Sequence, residues 1–176
     1  MVATVLERMM SYFGPDVRRI NHALKVYALA GCIGRRENLS APELLGLELA
    51  AILHDIGIKE AERKYQSSRG AYQEQEGPPV ARTLLAGLPL DRDLLARILF
   101  LIGNHHSYQK IDGSDFQILV EADFLVNIFE DQLSVNMVES VCSKYFRTAT
   151  GTSLLQRMFL PEASGEHSRA LPPNEP

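Results

Sequence analysis

The sequence predicts an all-α, single-domain protein, and two observations lead there. Every long segment repeats its apolar residues at helical spacing, and no run alternates as a half-buried strand must. The 176 residues, 45% apolar and 23% charged, suffice for one domain with a real core and are too few for two. Residues 1–160 are read as that domain. The polar, proline-rich end 161–176 (PEASGEHSRALPPNEP) is expected to be a mobile tail, and His167 within it is set aside.

The first helix is expected over residues 2–13, where Val5 and Met9 share a face with Tyr12 or Phe13. Gly14-Pro15 ends it, and Asp16 is placed to cap a second helix over about 16–33 that puts His22, Val26 and Ala30 on one side. Ser40-Ala41-Pro42-Glu43 has the form of a capping box with proline in the first turn. It opens the most apolar segment, ELLGLELAAILHDIG, which stops at Gly57, where glycine is expected to let the backbone turn away. A polar stretch, IKEAERKYQSSRGAYQ, follows. Residues 74–86 are expected to be helical with Pro78-Pro79 in the first turn, and another helix over 91–104 runs into Gly103-Asn104-His105-His106. An apolar helix over 115–129 carries Asp123, and 134–146 and 150–159 complete an expected total of roughly seven or eight.

Composition narrows the function. A net charge of −4 argues against a general nucleic-acid binder, which needs a basic face. No apolar run reaches about 18 residues, so no membrane span is expected. Glu7 and Arg8 interrupt the apolar N-terminal pattern, so no signal peptide is expected there and the expected location is cytoplasmic. Cys32 and Cys142 lack CxxC spacing and are expected to be reduced, mostly buried thiols. Ser67-Ser68-Arg69-Gly70 is not a P-loop, and neither a dinucleotide fingerprint nor a GxSxG elbow occurs.

The chemistry lies in a few polar residues on apolar helices. His54-Asp55 ends a helix that is otherwise almost wholly apolar. An HD dipeptide alone is weak evidence, but neighbouring helical residues point about 100° apart and can share one ion only near a helix end. His22 faces the core. Asp123 sits in mid-helix beside Val120, Phe124, Leu125 and Val126, where a carboxylate needs a partner, while Glu121 is expected to face solvent. A His, His-Asp and Asp set from three helices suits Fe(II), Mn(II), Zn(II), Co(II) or Ni(II), and carboxylate-heavy versions admit Mg(II). Lys59, four residues beyond Asp55, is expected to face it and neutralise a phosphate oxygen. Arg18 and Arg19 precede His22 by one turn and can flank a pocket mouth.

This ordered set, within HALKVYALA, LAAILHDIGIK and LVEADFLVN, resembles the HD-domain superfamily of metal-dependent phosphohydrolases over about residues 16–130. The resemblance implies an HD-domain-like helical bundle in which His22, His54, Asp55 and Asp123 ligate a first divalent metal, with Asp55 able to bridge to a second. Binuclear members add three histidines. ILFLIGNHHSY places His105 and His106 at two of those positions, and the third falls in QEQEGPPVA, where Glu76 precedes Gly77. A second site of Glu76, His105 and His106 therefore stands beside a plainer reading, in which Glu76 is a first-turn acid and the histidines bind phosphate or move protons.

The implied activity is hydrolysis of a small phosphate ester, nucleotides favoured, by metal-activated water. Asp55 orients that water, while Lys59 with His105 or His106 stabilises the phosphoryl group or protonates the leaving oxygen. Two rivals remain: a di-iron oxygenase of the same superfamily, and a non-catalytic ligand-sensing module that keeps a structural metal. The expected partner is a small phosphorylated substrate, and a homodimer is a candidate assembly.

Overall fold

The computed structural model describes residues 1–160, so the expected tail at 161–176 lies outside the described residues. Nine α-helices and no strand occur among the described residues: α1 (Val2–Phe13), α2 (Val17–Arg36), α3 (Ala41–Leu53), α4 (Ile58–Tyr65), α5 (Gly70–Leu85), α6 (Arg92–Ile102), α7 (Ser114–Glu130), α8 (Val135–Tyr145) and α9 (Ala149–Phe159). A 3₁₀ turn, Tyr108–Lys110, lies between α6 and α7.

Local chemistry starts these helices where the sequence indicates. The Asp16 side chain accepts from Arg19 N at 3.2 Å and caps α2. Ser40 and Glu43 close a full capping box on α3, with Ser40 N donating to Glu43 Oε2 at 2.9 Å. Asp91 caps α6 by accepting from Leu94 N. Every residue of α3 from Gly46 to Leu53 is buried, which makes it the central helix. It packs on α1, α2, α6 and α7. Its end, the second turn of α2, the end of α6 and the middle of α7 therefore meet in one region.

Several expectations change. The polar stretch after Gly57 contains a helix of its own, α4, whose apolar contribution is small but which packs along α5. α5 begins at Gly70 rather than 74, so Pro78 and Pro79 lie inside it rather than in its first turn. Cys32 is exposed and Cys142 half-buried, and both are free thiols rather than core residues. Glu121 does not face solvent but is fully buried. Its carboxylate accepts from Arg147 N at 2.6 Å, Thr148 N at 2.9 Å and Gln117 Nε2 at 2.8 Å, and from the Thr148 hydroxyl. It closes the start of α9, which periodicity along α7 cannot reveal because the donors come from another element.

Gly57 has ordinary right-handed backbone angles (φ −73°, ψ −16°), so it is not needed for a turn that other residues cannot make. Its importance is close approach. A Cβ there would lie 2.4 Å from the Gln73 carbonyl oxygen and 2.5 Å from Gly77 N, so α5 rests directly on the His54–Gly57 turn.

Candidate metal centre

His22 on α2, His54 at the end of α3 and Asp123 on α7 converge although 101 residues separate the outermost pair. His22 Nε2 lies 3.2 Å from His54 Nε2 and 3.2 Å from Asp123 Oδ1. His54 Nδ1 donates to Ala51 O at 2.8 Å and His22 Nδ1 faces Glu130 Oε2 at 3.1 Å. A carbonyl and a carboxylate only accept, so both Nδ1 atoms carry the proton and both Nε2 atoms present lone pairs to each other in the neutral rings. Two lone pairs 3.2 Å apart repel unless positive charge sits between them. A divalent ion meets that requirement, and the imidazole–carboxylate donor set fits one of the borderline metals.

A second group lies alongside, formed by Asp55, His105 and His106. Asp55 faces both groups. Its Oδ2 is 3.4 Å from His54 Nε2 and 3.7 Å from His22 Nε2, while its Oδ1 is 3.3 Å from His105 Nε2. His105 Nδ1 donates to Ile102 O at 2.8 Å, which again turns Nε2 toward the site. Glu74 holds the same segment by accepting from His106 N and from Ser107 Oγ, each at 3.0 Å. His106 Nε2 is buried with no hydrogen-bond partner among the described residues.

The electrostatics follow from crowding carboxylates and imidazoles together. Burial disfavours a charged His54, but the adjacent Asp55 and then Asp123 outweigh it and raise its pKa to about 9. His22 is raised for the same reasons, with Asp123 the main opponent of burial. Burial pushes the Asp55 and Asp123 carboxyls up, yet the imidazoles prevail and hold both below the ordinary value. His106 goes the other way, lowered to about 4 by burial and then by His105, so it is neutral at neutral pH. Positive charge is therefore favoured at the His22–His54–Asp123 group and disfavoured at His106.

Two expected participants are placed elsewhere. Lys59 is exposed and donates to the Tyr12 carbonyl at 2.8 Å, with its ammonium 5.0 Å from the Tyr12 ring centroid. An i, i+4 spacing turns Lys59 toward Asp55 only along one continuous helix, whereas the helix breaks into a turn at His54–Gly57 and restarts at Ile58. Glu76 joins neither group. Its carboxylate accepts from Lys64 Nζ and from the Tyr65 hydroxyl, both on α4, and Lys64 holds it below its ordinary pKa. The unanticipated helix α4 is the physical reason.

Two supporting residues were missed. Asn127 Nδ2 donates to Asp123 Oδ1 at 2.9 Å, and Glu130 binds both His22 and Lys25. Their signal was in the sequence: residues 123, 127 and 130 share one face of α7. Beside the cluster opens a cleft of about 440 Å³ whose lining includes Arg18, Arg19, His22, Asp55, Glu62 and Glu130. Arg19 is tied to Asp16 and Glu62, whereas Arg18 is exposed and has no ion pair among the described residues. No described helix is long and apolar enough to cross a membrane.

No curated protein sequence matches the chain. A crystal structure of a predicted HD superfamily hydrolase from an uncultured Thermotogales bacterium is similar in fold, with a TM-score of 0.63 at 24% identity. The match covers 87% of this chain and 82% of that one. The HD domain family model matches residues 19–141, a span that holds His22, the His54-Asp55 turn, His105, His106 and Asp123. The chain belongs to the HD domain family.

Proposed function

We propose that this protein is a metal-dependent phosphohydrolase that cleaves a small phosphate ester, with nucleotides the favoured class. One observation carries the reading: the two oxygens of Asp55 face two adjacent imidazole groups, each ring held by its Nδ1–H or by its neighbours so that Nε2 points inward. His22, His54, Asp55 and Asp123 hold a divalent ion in this reading, and His105 and His106 stand at a second position. The ion, when bound, makes a water nucleophilic near neutral pH and offsets charge on the phosphoryl oxygens.

The remaining work falls to the chain. Asp55 sits between the groups and orients the attacking water. His54 and His105 are kept in one tautomer by the carbonyls of Ala51 and Ile102. Arg18, which lines the cleft and has no ion pair among the described residues, takes the phosphate-binding role expected of Lys59 from the sequence. The cleft volume is within the usual range for small-molecule sites, which suits a nucleotide-sized substrate better than a polymer.

A screen of nucleotides and sugar phosphates with Mn(II), Co(II), Ni(II) and Mg(II) tests the reading. Release of inorganic phosphate from one class, lost on chelation, is the expected result. Oxygen consumption by the iron-loaded protein without phosphate release would instead favour the oxygenase. Arg18→Ala is expected to raise KM about tenfold with a smaller change in kcat, since a bond to phosphate made in ground and transition states alike acts on binding. An unchanged KM would remove Arg18 from the site.

Glu130→Ala is expected to weaken the affinity for the first ion about 10–100-fold, because Glu130 orients His22 and strengthens it as a donor. Calorimetric titration with Mn(II) reads this directly, and an affinity equal to wild type would show that His22 needs no such support.

A further inference from the structure

The geometry points to Gln73 as an oxygen donor to a second divalent ion, completing the group formed by Asp55, His105 and His106. This inference rests on the metal-centre reading above and concerns a residue to which the sequence pattern assigned no role. Gln73 is 6% exposed, and its Nε2 donates to Ser68 O at 2.7 Å. Ser68 O can only accept, so the amide cannot be flipped and Oε1 is the atom left over. That oxygen is buried and has no partner among the described residues, which is costly unless something arrives to satisfy it.

Its position says what. Gly70, Gln73 and Gly77 share one face of α5 at i, i+3 and i+7. At one end of this face a Cβ on Gly70 would lie 2.6 Å from His106 Cδ2. At the other end a Cβ on Gly77 would lie 4.0 Å from His54 O and 3.8 Å from Gly57 N. Gln73 is the residue between them, so it projects between His106 and the turn that carries Asp55. His106 Nε2 is the other buried polar atom here without a partner. Two orphaned atoms, one oxygen and one nitrogen, therefore belong to residues that α5 and the end of α6 bring to the region of Asp55 and His105.

An ion satisfies both. Its donors would be one shared carboxylate, two imidazoles and a neutral amide, a mixed N and O set suited to Mn(II), Fe(II) or Zn(II). Asp55 supplies the only negative charge in that set, whereas the first ion also has Asp123. The second ion is therefore the more weakly held. Glu76, bound by Lys64 and Tyr65, takes no part.

Mn(II) titration of the whole 176-residue chain, followed by calorimetry and by the electron paramagnetic resonance of free Mn(II), tests this. Wild type is expected to bind two ions in separable steps. Gln73→Leu, of similar size, should weaken the second step about tenfold or more and leave the first unchanged. Gln73→Glu keeps an oxygen and adds charge, and should tighten the second step, which keeps the test valid if the leucine variant does not fold. Glu76→Gln should change neither step. An unchanged second step in Gln73→Glu, or its loss in Glu76→Gln, overturns the assignment. Wild type binding one ion, with that ion lost in His22→Ala, overturns the Gln73 site and leaves the first-ion reading standing. Binding of none overturns both.

Discussion

Asp55→Ala is expected to abolish metal-dependent turnover, a loss of about 10³-fold or more, while the chain remains helical. The side chain's contacts explain both halves of that result. Among the described residues its oxygens meet only imidazole nitrogens, those of His22, His54 and His105, and it is no part of the apolar core. Removing it takes the one carboxylate common to both groups and leaves Asp123 alone to balance a divalent charge. The helices are held elsewhere, by Leu47, Leu49, Ile52, Leu101 and Ile118 among others, all essentially inaccessible to solvent. Far-UV circular dichroism should therefore match wild type. The rise in Tm that saturating Mn(II) gives the wild-type protein should largely disappear, because an ion stabilises only the state that binds it. Turnover above a few per cent of wild type, at unchanged metal content, would remove Asp55 from the centre of the mechanism.

Gly57→Ala is expected to lower Tm by about 2–12 °C, the range that follows from the usual 1–3 kcal/mol of overpacking in a chain of this size. The sign needs two effects weighed. At φ −73° alanine adopts the native backbone without strain, and restricting the unfolded chain would by itself stabilise the protein by about 0.4–1 kcal/mol. Against that, the new methyl would sit 2.4 Å from the Gln73 carbonyl and 2.9 Å from Gly77 Cα. Those are backbone atoms of a helix and cannot swing aside as a side-chain end can. The clash wins, and relief requires α5 to move off the HD turn, which also displaces Gln73 and Gly70 from the metal-centre region. A Tm equal to or above wild type would mean that α5 is free to shift and that the close contact is not a constraint.

Much was legible in the chain because it depends on neighbours within one or two helical turns. The all-α class, the Asp16 cap, the Ser40–Glu43 box and the burial of His22, Val26 and Ala30 all follow from local spacing and local hydrogen bonds. So does the shortlist of polar groups, since His54, His105 and Asp123 are conspicuous among apolar residues and all three prove buried. Other features depend on which helix lies across the way. The two amphipathic turns after Gly57 carry few apolar residues, so the sequence shows only a polar stretch there; once packed on α5 this helix directs Lys64 and Tyr65 to Glu76. Counting along the sequence puts Lys59 one turn beyond Asp55, but the helix ends at Leu53 and a new one starts at Ile58. Glu121 reads as a surface acid until the Arg147–Thr148 amides close over it. Gln73 has no local signature of a donor, and its unpartnered oxygen is visible only when α5, the HD turn and the end of α6 are brought together. Periodicity records which side of a helix is apolar. It does not record the partner that covers that side, and a polar side chain takes its role from that partner.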